Sequence, residues 1–296
     1  MTSDLLATAD DAADRAAKAA GVVVRELGSL DELDAMITLF DEIWEPDTGN
    51  SSLPLDLARA LSKAGNFASG AYDSGTGQLL GACMGFFGPP AHAELHSHIA
   101  GVLPAGLGRS VGFALKVHQR AWCLRRDVRV IAWTYDPVIR RNAYFNLVKL
   151  GALPVEYLRN FYGALDDVIN AGTATDRLLV HWDLLSELAA NASAGRAAPG
   201  SFTNERERGA VVVLAADPNG KPTREAPATG RALSSGGART FLAGVPGDIE
   251  ALRVADPALG AEWRTALRDA LEPLMADGAR VTGFDRAGWY ILSLDD

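Results

Sequence analysis

The sequence has no long apolar segment and almost no cysteine. None of its apolar runs reaches the roughly 18 to 20 residues that a membrane-spanning helix needs, and its start lacks the basic flank and apolar core of a secretion signal. The 296 residues include only two cysteines, Cys83 and Cys123. Both stand in apolar runs, so we expect buried free thiols rather than a disulfide. These absences indicate a cytoplasmic protein without a membrane partner.

Positive charge is also scarce, because 28 Lys and Arg stand against 37 Asp and Glu, for a net charge of -9. This balance argues against nucleic acid or an anionic membrane as the main partner. The distribution is uneven: residues 109–149 carry nine Lys or Arg and two Asp, a local charge of +7 that leaves -16 for the rest. Such a segment suits a polyanionic small molecule, although basic helix faces also serve solubility alone.

A glycine-rich turn within residues 102–116, VLPAGLGRSVGFALK, joins an apolar strand to a helix. Gly112, in the R-x-x-G-x-A motif of residues 109–114, lets the backbone approach a ligand without a Cβ in the way. The free N–H groups of the first helical turn then point at any anion bound there. The pattern predicts a phosphate-binding turn. A plain capped turn is the alternative, since many helices start after glycine.

Apolar periodicity predicts an α/β fold, a mixed sheet flanked by helices, with the order β-α-α-β-β-β-α-β-α-β in the first part of the chain. Strands are predicted at residues 22–27, 67–72, 78–87, 95–103, 128–134 and 155–162. Helices are predicted after Ser29, where Leu33, Ile37 and Phe40 share one face, and at 55–64, 110–124 and 138–150.

Composition divides the chain into three parts. Residues 1–21 are rich in Ala and Asp without a large apolar stripe, which predicts a flexible tail that is frayed or loosely helical. Residues 22–184 form the main domain, and residues 185–296 form a smaller C-terminal α/β region. In the latter, linkers are predicted at 189–208 and 217–237, strands at 210–214, 240–245, 280–284 and 289–294, and a helix at 258–276.

Two separated motifs resemble those of the GNAT superfamily of acyl-CoA-dependent N-acyltransferases. One is R-x-x-G-x-A at residues 109–114 after a strand. The other is Asn142-Ala143 leading to KLGA at residues 149–152, which is similar to the family's N-x-x-A…K-L-G-F helix. The second match is partial, because Ala143 follows Asn142 directly instead of standing three residues later. The likeness covers about residues 22–162.

A denser resemblance is to a bacterial branch of this superfamily that has a C-terminal extension. It is carried by HSH at 96–98, LK at 115–116, QR at 119–120, WTYDP at 133–137, RNAYFN at 141–146, KLGA at 149–152, NFYG at 160–163, DR at 176–177 and Trp182. This resemblance implies transfer of an acetyl or succinyl group to an amino acid or a related small amine.

The resemblance further implies that two adjacent parallel strands separate, and that the pantetheine arm of acetyl-CoA or another acyl-CoA lies between them. Backbone groups near residues 100–103 would pair with this arm. Amides of residues 110–114 would hold the pyrophosphate, where the helix dipole favours negative charge, and Arg109 would add a charge-assisted contact. The implied cofactor-binding residues are Val102, Leu103, Arg109, Ser110, Val111, Gly112, Phe113, Ala114 and Asn142.

This chemistry needs a neutral amine, a polarised thioester carbonyl and a proton for the leaving thiolate. His98 stands where better-known members carry a glutamate base, and imidazole takes a proton near neutral pH. The alternative for His98 is a hydrogen-bonded core residue. The slot of the family's tyrosine acid holds Leu147 here. Tyr144 and Asn146 lie near it and are the other catalytic candidates, with protonation by Tyr157, Tyr162 or solvent left open.

Recognition of the acceptor is assigned to Trp133, Asp136, Asn160, Asp176 and Arg177. Arg177 would clamp a substrate carboxylate, and Asp176 would hold the amine. The alternatives are a turn-shaping role for Asp136 and a helix cap formed by the Asp176-Arg177 pair.

Four other interpretations are weaker or stay open. The pair His96 and His98, with His92 or Glu94, could suggest a metal, but no further ligand cluster appears. The G-x-G-x-x-x-G pattern at 106–112 resembles a dinucleotide fingerprint, yet it does not follow a first strand. A catalytically silent acyl-CoA-binding module would explain Leu147 and the lack of a carboxylate at position 98. Homodimer formation is left open.

Overall fold

The computed structural model describes residues 2–44, 51–89, 93–163, 175–225 and 239–294. The strands are β1 (Val22–Glu26), β2 (Phe67–Asp73), β3 (Leu79–Phe87), β4 (Glu94–Val102), β5 (Val130–Tyr135), β6 (Leu153–Leu158), β7 (Arg177–Asp183), β8 (Val211–Ala216), β9 (Pro222–Thr223), β10 (Thr240–Gly244), β11 (Ala279–Asp285) and β12 (Trp289–Leu294). The helices are α1 (Ser3–Ala20), α2 (Leu30–Trp44), α3 (Leu55–Lys63), α4 (Val111–Leu124), α5 (Arg140–Ala143), α6 (Glu187–Ser193), α7 (Phe202–Glu207), α8 (Ile249–Ala255) and α9 (Pro257–Ala276). A 3₁₀ turn (Pro104–Gly106) precedes α4, and a π-helix (Tyr144–Leu150) continues α5.

These strands form two sheets. The larger has the order β1-β2-β3-β4-β5-β7-β6, and the smaller has the order β11-β12-β10-β8-β9. In the larger sheet, β1 to β4 are antiparallel neighbours, whereas β4 pairs with β5 in parallel. The predicted fold class, a mixed sheet flanked by helices, is confirmed.

The described residues form two compact units. The first contains residues 2–44, 51–89, 93–133 and 182–196, and the second contains residues 134–163, 175–181, 197–225 and 239–294. Strands β5 and β7 each pass from one unit into the other. The compact units therefore divide within strands, whereas the sequence predicts a division after residue 184.

Local sequence signals account for α2 in the first unit. Ser29 and Glu32 form a capping box, in which the Ser29 Oγ accepts from the Glu32 N–H at 3.2 Å and the Glu32 Oε2 accepts from the Ser29 N–H at 2.9 Å. The predicted apolar face of Leu33, Ile37 and Phe40 is buried in one core cluster with residues of β2 and β3. The helix therefore starts and packs as the sequence predicts.

The N-terminal segment, for which the sequence predicts a frayed or loosely helical tail, is a regular helix. Residues Ser3–Ala20 form the helix α1, whose buried face consists only of alanines: Ala9, Ala12, Ala13, Ala16 and Ala20. Small side chains at helical spacing let α1 approach α4 closely, and α1 also contacts β1. Gly21 ends the helix in the left-handed conformation, at φ 66°. Sequence analysis predicts no more than a loose helix here, because alanine adds little hydrophobicity to a stripe.

The region after residue 184 is more regular than predicted. Helices α6 and α7 lie largely within the stretch predicted as a linker, and each has a serine N-cap: Ser186 accepts from the Ala189 N–H, and Ser201 accepts from the Asn204 N–H. Strand β7 is also absent from the sequence predictions. Of the second predicted linker, residues 226–237 lie outside the described residues.

In the second unit, the smaller sheet combines a parallel β8–β10 pair with antiparallel β10–β12 and β11–β12 pairs. Helix α9 packs on this sheet through a buried face that includes Trp263, Leu267 and Leu271. Four predicted strands and the predicted long helix of this region are present, with ends within a few residues of those expected.

The alanine face of α1 generates a stability prediction. Replacement of Ala12 by Leu adds three carbon atoms to a closely packed contact, so we expect a loss of about 1–3 kcal/mol from overpacking. Ala7 is exposed on the same helix, and its replacement by Leu is expected to change stability by less than about 0.5 kcal/mol. Thermal denaturation followed by circular dichroism compares the two variants. Equal Tm values would contradict a packed α1.

Candidate active site

The parallel pairing of β4 with β5 covers three residue pairs and ends at His96 with Ala132. Residues 97–102 of β4 continue without a β5 partner, while their other edge stays paired with β3. We call the space between the two strands beyond the His96–Ala132 pair the β4–β5 gap. Its separated parallel strands are what the resemblance implies.

The turn after β4 leads to free backbone donors. Ser110, the residue before α4, has a φ of 66°, which is uncommon for a residue other than glycine. The Ala114 N–H donates to the Ser110 carbonyl at 3.1 Å, so this amide is already used. In the described part of the chain, the N–H groups of Val111, Gly112 and Phe113 have no acceptor. Helix starts with such donors are common phosphate sites.

Gly112 has no structural reason to be a glycine. A Cβ built there would meet only the Val102 Cγ2, at an ordinary contact distance of 3.6 Å, and its φ is not in the left-handed region. Gly108, in the same turn, does need glycine, because its φ is +76°. The space above Gly112 is therefore consistent with close approach of a ligand to the backbone.

Arg109, predicted to contact the pyrophosphate, has partners inside the protein. Its Nη2 donates to the carbonyls of Ala20 and Gly21 at 3.2 and 3.1 Å, and it pairs with the Asp73 Oδ2 at 2.8 Å. These contacts hold the C-terminal end of α1, where unpaired carbonyls favour a cation. A role in phosphate binding stays a prediction.

Val102 and Leu103 stand at the end of β4 next to the gap. Val102 pairs with Gly81 of β3. The Leu103 N–H donates to the Leu80 carbonyl at 2.8 Å, and the Leu103 carbonyl accepts from the Gly106 N–H at 2.9 Å. Both main-chain groups of Leu103 are thus used within the turn, which leaves the strand residues before it to pair with a ligand.

His98 is the extra residue of a β-bulge. Met84 of β3 pairs with Ile99 and Gly85 pairs with Ser97, so no β3 residue is opposite His98. The His98 imidazole is exposed and lies beside Phe86, with the ring centroids 5.7 Å apart. The bulge thus presents His98 at the level where the β4–β5 gap begins.

Both strand histidines are neutral near pH 7. Although His98 is exposed, the surrounding protein atoms partly desolvate its imidazole and lower its pKa below its usual value. Burial, with smaller contributions from His98 and Lys116, lowers the pKa of His96 to about 4. The rings of His96 and His98 lie 6.2 Å apart, centroid to centroid, and both contact Phe86. An exposed neutral imidazole has the protonation state of a general base.

Behind the gap, α4 carries a buried lysine that sequence analysis did not assign to the site. The Lys116 Nζ donates to the Ser97 Oγ at 2.8 Å and to the Gln119 Oε1 at 3.0 Å, and it lies 3.7 Å from the centroid of the Trp133 ring. Trp133, a predicted substrate-binding residue, also contacts Trp182 edge to face. The available signal was a pair of basic residues, Lys116 and Arg120, four positions apart in an otherwise largely apolar helix.

The second unit holds the Asn142 motif. Asn142 lies in α5, and Tyr144 and Asn146 lie in the π-helix that follows, a conformation that is frequent at functional sites. Gly151 ends it in the left-handed conformation, as predicted for the KLGA segment. Asn146 and Leu147 are buried, whereas Tyr144 is half-buried. Catalytic roles for Tyr144 and Asn146 stay predictions.

Asp136 is the centre of a buried ion cluster. Arg264 donates to both carboxylate oxygens at 3.2 and 2.7 Å, Arg253 donates to the Oδ2 at 2.9 Å, and the Val138 N–H donates to the Oδ1 at 3.1 Å. Burial raises the pKa of Asp136, but the two arginines lower it by more, so the carboxylate stays charged. These contacts fit the turn-shaping alternative, and a substrate contact stays a prediction.

Asp176 is also fully engaged within the second unit. Arg268 binds both oxygens at 2.7 and 2.9 Å, the Tyr157 hydroxyl donates to one oxygen at 2.9 Å, and the Asn160 N–H donates to the other at 3.0 Å. Burial raises the pKa of Asp176, and Arg268 leads the opposing effects that lower it overall. Four donors fill the acceptor positions of a carboxylate. An amine substrate would have to displace one of them.

Asn160 and Arg177, the remaining predicted recognition residues, lie beside Asp176. The Asn160 side chain accepts from the Thr175 N–H at 3.1 Å, and the backbone of Asn160 is in the left-handed region, at φ 42°. The Arg177 guanidinium donates to the Asp176 carbonyl at 3.0 Å and lies 5.4 Å from the centroid of the Tyr162 ring. The structure therefore brings these residues together, although Arg264 and Arg268, their partners from α9, were not predicted.

A search of the described residues finds no group of three or more His, Cys, Asp or Glu side chains placed to hold a metal ion. His92, one of the ligands considered with His96 and His98, lies outside them. None of the described helices combines the length and the apolar character needed to cross a membrane.

Comparison with known proteins gives remote structural matches only. No protein-family model and no curated protein sequence matches the chain. The solved structures that it resembles are acetyltransferases of the GNAT superfamily. They include the ribosomal-protein-alanine N-acetyltransferase from Brucella melitensis (13% identity, 54% of this chain and 99% of that chain, TM-score 0.45) and an N-acetyltransferase from Staphylococcus aureus (14% identity, 55% and 98%, TM-score 0.43).

A third match is aminoglycoside 6'-acetyltransferase type Ii, at 15% identity over 56% of this chain and 99% of that chain, with a TM-score of 0.44. All three likenesses are remote. The separated parallel strands β4 and β5 agree with what the resemblance of the sequence implies.

The Asp136 cluster predicts a large stability effect. Asp136→Asn leaves two buried guanidinium groups without a counter-charge, so we expect a loss of about 3–5 kcal/mol. Asp269→Asn breaks only an exposed pair with Arg224 and is expected to cost less than about 1 kcal/mol. Urea denaturation at pH 7 measures the free energy of unfolding of both variants.

Acidification provides a second check on the same variant. Because the pKa of Asp136 is lowered in the folded state, its contribution to stability is present above the unfolded pKa of about 3.9 and is lost as the pH falls through the folded value. The difference in unfolding free energy between wild type and Asp136→Asn should therefore become smaller at acid pH. A constant difference would mean that the Asp136 charge does not stabilise the fold.

Proposed function

We propose that this protein is an N-acyltransferase that moves an acetyl or succinyl group from acyl-CoA to the amine of a small molecule such as an amino acid. The observation that carries the proposal is the position of the β4–β5 gap. It runs along β4 directly to a turn whose three free amides suit a pyrophosphate. The unpaired edge of β4 and the turn that follows it thus offer backbone partners for an amide-containing arm and donors for its anionic end.

The chain's residues suit acyl-CoA as a substrate. The unpaired edge of residues 97–102 offers strand-like hydrogen bonds to the pantetheine amides. The amides of Val111, Gly112 and Phe113 are placed to bind the pyrophosphate, and the absent side chain of Gly112 leaves room for it. A polyanion at this position also gains from the positive end of the α4 dipole.

His98 is the general base in this proposal. It is exposed at the bulge beside the closed end of the gap, and its lowered pKa keeps it able to accept a proton at neutral pH. Its imidazole would take the proton from the acceptor's ammonium group, directly or through water, before the amine attacks the thioester. Acceptor binding by Trp133, Asp136, Asn160, Asp176 and Arg177 belongs to the same proposal.

A catalytically silent acyl-CoA-binding module is the second candidate. Leu147 fills the slot of the family's tyrosine acid, and it is buried. A protein that had lost turnover would keep the phosphate-binding turn and lose this acid. Incubation with acetyl-CoA or succinyl-CoA and a pool of amino acids separates the candidates. If coenzyme A raises the Tm but no amine provokes thiol release, the silent module is correct.

Gly112→Ala tests the binding site without disturbing the fold. The added methyl group fits against Val102 and suits a helix, so the Tm of the free protein should not fall. The same methyl group should lower the affinity for coenzyme A at least about tenfold, or about 1.4 kcal/mol. Isothermal titration calorimetry measures the change.

Gly28→Ala is the matched control, because Gly28 is exposed and a Cβ there meets nothing within 4 Å. Its affinity for coenzyme A should equal that of wild type. Unchanged binding by Gly112→Ala would place coenzyme A elsewhere, and absence of binding by wild type would refute the proposed function.

His98→Ala tests the general base. We expect kcat to fall about 100-fold or more, the usual contribution of such a group, while coenzyme A affinity is retained. On the acid side, the kcat/KM of wild type should decline once the pH drops below the ordinary histidine value of about 6.5, because the pKa of His98 is lowered. Steady-state kinetics between pH 5 and pH 8 measure both. Full activity of His98→Ala would assign the base elsewhere.

A further inference from the structure

Lys116 lies at the closed end of the β4–β5 gap. Its Nζ contacts Ser97 of β4 and the ring of Trp133 of β5. These two residues directly follow His96 and Ala132, the last pair that joins the strands. The amine therefore bridges the two strands where they separate. A chain that entered the gap from the phosphate-binding turn would end beside it.

Stability of the fold does not explain a lysine here. Lys116 is only 5% exposed, and its two hydrogen-bond acceptors, Ser97 and Gln119, are neutral. A buried cation without a carboxylate partner costs several kcal/mol, which a methionine of similar volume would avoid. In the described part of the chain, the buried Gln119 Nε2 also lacks a partner. Buried polar groups kept at such a cost are typical of functional sites.

The proposed reaction leaves one proton donor unassigned. When the amine has attacked, the C–S bond of the tetrahedral adduct breaks and its electron pair stays on sulfur, which needs a proton. Leu147 cannot supply one, and the Tyr157 hydroxyl is bound to Asp176. An ammonium group has three N–H donors. Two of those on Lys116 are used by Ser97 and Gln119, and the third has no hydrogen-bond acceptor among the described residues.

We propose that Lys116 is the general acid of this protein, a catalytic residue that donates its third N–H proton to the coenzyme A sulfur as the C–S bond breaks. The inference rests on the proposed function. The nitrogen of the adduct loses its second proton to solvent, the amide and the coenzyme A thiol leave, and Lys116 remains as a neutral amine. The proton that His98 has taken from the acceptor returns through solvent to Lys116, so that one turnover neither gains nor loses a proton on the protein.

The environment of Lys116 matches this task. Burial lowers the pKa of Lys116 to about 8, close to the value of about 8.5 for an ordinary thiol. Proton transfer between groups of matched pKa is efficient near neutral pH. The titratable groups facing Lys116 are Cys83 on β3, Cys123 on α4 and His96 on β4. Burial raises the pKa of both thiols and lowers that of His96, so all three are neutral at pH 7 to 8.

Two substitutions separate proton donation from charge and from packing. Lys116→Met keeps the volume and removes both charge and proton. Lys116→Arg keeps the charge, but a guanidinium does not release a proton at these pH values. We expect both variants to bind coenzyme A as wild type does and to lose kcat by about 100-fold. Lys63→Met, an exposed lysine on α3, is the matched control and should leave kcat unchanged.

The pH profile provides a readout that a structural role would not change. Wild-type kcat should fall above about pH 8, as Lys116 loses its proton, and this alkaline limb should be absent from Lys116→Met. Normal kcat in Lys116→Met, or wild-type kcat in Lys116→Arg, would overturn the inference and leave the acyltransferase proposal intact. Wild-type protein that binds no coenzyme A and releases no thiol would refute both.

Discussion

The early end of the β4–β5 pairing is the constraint on which the candidate site depends. Beyond His96, β4 has one edge held by β3 and one edge open. A strand fixed on one side presents its free N–H and C=O groups in a rigid row, which is an unusual feature for the interior of a sheet. The β-bulge at His98 lies at the same level and changes the direction in which that side chain points.

Helix α4 contributes the other groups of the candidate site. Its first turn supplies donors beyond the end of β4, and the same helix places Lys116 behind the start of the gap. Phosphate recognition and proton donation would thus be held at a fixed separation by one rigid helix. Arg109, adjacent to this turn, joins the helix start to α1 and Asp73, which ties the turn to the surrounding fold.

Sequence reasoning recovered the elements whose signals are local. The helix start after Ser29 and the end of the predicted 138–150 helix depend on nearby residues, and the glycine turn before α4 is of the same kind. Missed features depend on distant contacts. The alanine face of α1 can be recognised only from its contact with α4. Asp136 and Asp176 bind arginines that stand more than 90 positions later in the chain. No local pattern reveals such pairs.

The first compact unit is built from segments far apart in the sequence, and this affects when its core can form during synthesis. The first unit includes residues 182–196, where the Leu184 carbonyl accepts from Arg120 and Trp182 packs on Trp133. A ribosome that has released only the first 150 residues has therefore exposed an incomplete hydrophobic core. The core of this unit is complete only after the Trp182 segment has been synthesised.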